Sequence, residues 1–153
     1  MEKVNNIQEV SKYFLEQMRG LIELSDFEEK IISDSILLPY MTVTNAKTVI
    51  SDHIDEAVKA KSNLNYILYR LKDKRKMILL PFEAEYNKLF TVLTRQNRPS
   101  KQAIDSEIKY TRKDLAETFT KLEDYERVIE YLQSLLSVLD LVIKNAESRR
   151  YNL

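Results

Sequence analysis

Between residues 59 and 101, lysines and arginines outnumber acids by 11 to 3, and tyrosines stand among them. Lys59, Tyr66, Arg70 and Lys74 follow one another at steps of seven, four and four, along one stripe of a helix. Tyr69, Lys72 and Lys76 form a neighbouring stripe at steps of three and four. Such a pattern suits a single strand of nucleic acid. Phosphates meet the cations, while unstacked bases lie on the rings at roughly 1–3 kcal/mol each. Lys61, Arg75, Lys88, Arg95, Arg98 and Lys101 extend the set. The plain alternative is a lysine-rich face kept for solubility, or for pairing with the acidic third of another copy.

Catalytic chemistry finds little purchase. There is no cysteine, no serine in a Gly-x-Ser-x-Gly elbow, and only one glycine in 153 residues. A phosphate-cradling glycine loop and a dinucleotide fingerprint are therefore excluded. The lone histidine, His53, sits in Asp52-His53-Ile54-Asp55-Glu56, which reads as a solvated acidic helix face. A carboxylate-bridged metal pair would need Glu-x-x-His on two helices, and none occurs. We expect no enzyme, no metal and no cofactor.

The elements that must carry these residues are helical. One Gly, three Pro, no Cys and 31% charged residues describe a chain of amphipathic helices. From Ile104 through Ile108, Thr111, Leu115, Thr118, Leu122, Tyr125, Ile129, Leu132, Leu136, Leu139 and Ile143 to Ala146, steps of four and three alternate without a slip. That is a heptad seam, and it predicts one helix over 100–150 capped by Ser100. Val128, Leu135 and Val142 add a second apolar row beside it. The resulting stripe, with Leu132, Leu136, Leu139 and Ile143, is broad enough to predict contacts between copies.

Ahead of it, Ile50, Ile54, Ala57, Lys61, Leu64, Leu68, Leu71, Arg75 and Ile78 make a second seam with two cations in it. This predicts a long basic helix over 44–80. Pro81 should end it, with a short helix over 82–96 beyond. The N-terminal part, 1–33, reads as two short helices, the second opened by the capping-box pattern Ser25-Asp-Phe-Glu28. Residues 34–43, with Pro39, read as an extended connector. The expected fold is a single all-α domain: an elongated, coiled-coil-like bundle of two long antiparallel helices with shorter ones alongside.

Charge is segregated along this chain. Residues 1–58 carry 5 basic and 11 acidic side chains, whereas residues 59–101 have a net charge of +8. No apolar run reaches about eighteen residues, the length a spanning helix needs, and the N-terminus has no signal-peptide pattern. We expect a cytoplasmic protein with no membrane partner.

From about Asp34 to Arg150 the order of features resembles the UvsY-type phage recombination mediators. The similar marks are Asp34-Ser35, Thr44-Asn45-Ala46, the lysine- and arginine-rich helix, Ser106-Glu107-Ile108-Lys109 and Ile143-Lys144-Asn145. The resemblance implies a ring-shaped homo-oligomer in the host cytoplasm that binds single-stranded DNA. It would help a RecA-like recombinase displace single-strand-binding protein and assemble a filament. The DNA-contacting helix of that family would map onto Lys72, Lys74, Arg75 and Lys76. The competing expectation is a helical scaffold, assembly chaperone or virion component held together by its two seams.

Overall fold

The computed structural model describes residues 2–97 and 100–153, with side chains described over 6–96 and 100–153. It is all-α, with five α-helices and no strand among the described residues. The elements are α1 (Glu2–Arg19), α2 (Asp26–Leu37), a 3-10 turn (Leu38–Tyr40), α3 (Lys47–Asn97), α4 (Lys101–Thr111) and α5 (Lys113–Tyr151). No helix among the described residues is long and apolar enough to cross a membrane. The chain divides into two compact units, one of Met1–Leu71 with Val128–Leu153 and the other of Lys72–Arg127.

In the first unit, α2 opens as its sequence predicts. Ser25 Oγ accepts from the Glu28 N–H at 3.1 Å, and Glu28 Oε1 accepts from the Ser25 N–H at 3.1 Å. The helix passes the expected stop near Ser33 and runs to Leu37, so the predicted extended connector over 34–43 begins as helix and 3-10 turn. Burial explains the extension. Ile32 and Ile36, one turn apart, are both buried, as is Leu38. Pro39 falls near the start of the 3-10 turn, where a missing N–H costs least. Leu38 therefore keeps a helical backbone, at φ −50° and ψ −45°, despite the proline after it.

The centre of this unit is formed by Met18, Ile32, Ile50, Leu64, Ile67, Leu132 and Leu139, all essentially inaccessible to solvent. Ile50 and Ile54 pack with Ala146, and Val43 and Ile143 flank them. Phe14 stacks on Tyr131 with ring centroids 3.6 Å apart and planes 5° from parallel. Burial, with the Tyr40 phenol as a smaller contribution, pushes the Tyr131 hydroxyl up to about 12. Arg149 donates to the Val43 carbonyl and the Asn45 side chain, fixing the segment that leads into α3.

In the second unit, Ile104, Ile108 and Leu115 form a buried cluster covered by Phe82, Tyr86, Leu89, Phe90 and Leu93. Two sequence expectations fail here. The predicted break at Pro81 is absent, and α3 continues through it. Proline removes the hydrogen bond to the Met77 carbonyl and crowds it. Pro81, Met77 and Leu80 are exposed, so water can take the freed acceptor, while Ile78, Leu79 and Phe82 keep a half-buried side.

The predicted single helix over 100–150 is instead two. Ser100 is its N-cap as expected, accepting from Ala103 N–H at 3.3 Å, but the helix is interrupted at Arg112 (φ −117°, ψ 82°). Arg112 reaches Glu85 and Asp114 at 3.0 Å each, and these two carboxylates anchor the bent residue. The heptad spacing gave no warning of it, and one of the two anchors, Glu85, lies 27 positions away.

Candidate nucleic-acid interface

Two kinds of cation emerge once side chains are placed: those with an acid, and those without. In the first unit, Lys61 Nζ lies 2.5 Å from Asp140. Arg70 is held twice, by Glu28 Oε2 at 2.6 Å through Nη1 and by the Glu23 carbonyl through Nη2. Its guanidinium also stands 5.8 Å from the centre of the Tyr66 ring. Lys59 is exposed and makes no ion pair among the described residues. Tyr66 and Tyr69 are 62% and 67% exposed, so both rings are open to solvent.

The second unit holds the remaining candidates. Lys72, Lys74 and Lys76 are exposed, and none forms an ion pair among the described residues. Arg75 is turned the other way. Its Nη2 meets Glu126 at 2.5 Å, and its Nε is buried without a hydrogen-bond partner. Helical spacing accounts for Lys72, Lys76 and Arg75. Residues 72 and 76 lie one turn apart, whereas position 75 falls on the inward seam with Ile78 and Phe82. Lys88, Arg95 and Lys101 are likewise exposed and without an ion pair. Arg98 lies outside the described residues.

Sequence spacing missed two features. Lys109 Nζ sits 4.0 Å from the Phe119 ring centre, across the Arg112 interruption that no periodicity reveals. Together with Phe82, Tyr86, Lys101 and Asp105 they line a cavity of about 480 Å³ in the second unit. The other is Glu28. It was legible as a capping residue, but its second carboxylate oxygen serves Arg70, 42 positions away. Burial pushes the Glu28 carboxyl up, yet the Ser25 N–H and the Arg70 guanidinium together hold it below the ordinary glutamate range. Among the described residues no three His, Cys, Asp or Glu side chains stand close enough to share a metal ion.

The residues expected to join copies lie on α5. Val128, Leu132, Leu135, Leu136 and Leu139 are buried, Val142 and Ile143 half-buried. No protein-family model matches the chain, and no curated protein and no solved structure matches it.

Proposed function

We propose that this protein is a non-catalytic, single-stranded DNA-binding recombination mediator that uses the basic segment of α3. The observation that carries the reading is the uncompensated charge of Lys72, Lys74 and Lys76. Nearby Lys61, Arg70 and Arg75 each find a carboxylate, so acids are within reach of this helix, yet Lys72, Lys74 and Lys76 form no ion pair among the described residues. Surplus cations on a helix attract phosphate without sequence preference. In this reading α3 and α5 are the two long antiparallel helices. Opposed numbering supports that within the first unit, from Ser51–Arg150 to Lys61–Asp140, and within the second, from Arg75–Glu126 to Phe82–Phe119. The partners would be a RecA-like recombinase and single-strand-binding protein, met in the cytoplasm.

A second reading, a helical scaffold or assembly protein, draws on Met77, Leu80 and Val92, apolar side chains exposed on α3. Substituting Lys72, Lys74 and Lys76 together with Ala separates the two. Loss of single-strand binding with an unchanged melting temperature supports the mediator reading. Binding equal to that of the unmodified chain overturns it in favour of the scaffold.

A further inference from the structure

The planar fork of Arg70, on the basic stripe, is already filled. Both terminal nitrogens have acceptors, Glu28 Oε2 for one and the Glu23 carbonyl for the other. A guanidinium presents paired donors that match the two oxygens of a phosphate or a carboxylate. Glu28 is itself immobilised, because its other oxygen accepts the Ser25 N–H in the capping box. The Arg70 and Glu28 side chains are only 27% and 20% exposed. The same guanidinium stands against Tyr66, so a cation and a ring of the stripe are tied to one contact.

We infer that the start of α2 is an autoinhibitory latch, in which Glu28 and the Glu23 carbonyl occupy the Arg70 guanidinium that a single-stranded DNA phosphate would otherwise take. This rests on the single-strand-binding reading above. Resting binding then uses the exposed cations other than Arg70. Opening the latch adds one phosphate contact beside the Tyr66 ring, which is already open to a base.

The test is a cycle of variants in the full chain, read by fluorescence anisotropy with a labelled single-stranded oligonucleotide over a salt series. Glu28→Gln keeps the capping box, which accepts Gln at that position, and removes the charge that holds Arg70. It should tighten binding about fivefold at about 0.1 M salt and steepen the log–log slope by about 0.7, one phosphate's worth. Arg70→Gln alone should change affinity less than about twofold, yet it should abolish the gain when combined with Glu28→Gln. Glu56→Gln removes the same charge from an exposed acid that forms no ion pair among the described residues, and should leave the slope unaltered. A loss of affinity on Arg70→Gln alone overturns the latch, because Arg70 would then already hold phosphate. Equal effects of Glu28→Gln and Glu56→Gln overturn it too. In both cases the unmodified chain still binds, so the mediator reading survives. Absence of binding by both the unmodified chain and Glu28→Gln overturns the two together.

Discussion

Arg75 and Glu126 face each other within the second unit, guanidinium to carboxylate at 2.5 Å, at a seam position where the heptad pattern calls for an apolar side chain. Arg75 keeps 28% of its side chain exposed and Glu126 54%, so this pair is half in water. Solvent-screened pairs contribute about 0–1 kcal/mol, and the unpartnered Arg75 Nε detracts from that.

Arg75→Leu should therefore change stability by less than about 1 kcal/mol, in either direction. Lys61→Leu should behave likewise, since the Lys61–Asp140 pair is similarly exposed. Urea denaturation monitored by circular dichroism checks both. A loss of several kcal/mol would identify a desolvated pair on which the unit depends.

Leu132 has no solvent-accessible surface. Leu132→Ala should cost about 2–5 kcal/mol, the range for truncating a buried leucine. Sedimentation of the variant alongside the unmodified chain separates a folding defect from a lost subunit contact. An unchanged melting temperature with an altered sedimentation coefficient would give this seam an intersubunit role.

Much of the fold is legible because its signals are local. The Ser25–Glu28 capping box, the Ser100 cap and the seams of α3 and α5 each lie within a few turns of chain, where side-chain chemistry and helical period decide the outcome. Tertiary restraints defeat such reading. Arg112 interrupts a slip-free heptad pattern where Glu85, 27 positions away, joins its neighbour Asp114 in holding it, and Pro81 fails to interrupt α3 because its flawed turn faces water. The candidate site divides in the same way. Spacing put Arg70 beside the tyrosines and lysines, but only folding brings Glu28 to it and takes it out of the free set.

Pro81 offers a direct check on the continuous helix. Pro81→Ala should raise stability, by at most about 3 kcal/mol, by restoring the bond to the Met77 carbonyl. Thermal unfolding followed at 222 nm measures it. No gain, or a loss, would show that the proline is accommodated by a distortion that alanine cannot use.

The Glu28 carboxyl titrates below the usual value of 4.5 because the Ser25 N–H and the Arg70 guanidinium outweigh the effect of burial. A depressed carboxylate contributes stability that is complete above its unfolded pKa and is lost as pH falls through the folded one. The stability difference between the unmodified chain and Glu28→Gln should thus be constant near pH 7 and shrink below about pH 4.5. Denaturation curves at several pH values measure it, and a difference that grows on acidification would contradict the assigned ion pair.

Salt dependence of single-strand binding is the most direct measurement of what the basic segment does. With a labelled single-stranded oligonucleotide, log affinity should fall linearly with log salt. Each neutralised phosphate contributes a slope of about −0.7, so Lys72, Lys74 and Lys76 together give about −2. Replacing Lys72, Lys74 and Lys76 with Ala should flatten that slope, while Tyr69→Ala should weaken binding and leave the slope nearly unchanged, because stacking releases no counterions. No binding by the unmodified chain at about 50 mM salt, or binding whose slope the triple substitution leaves intact, would contradict a DNA-binding role for α3.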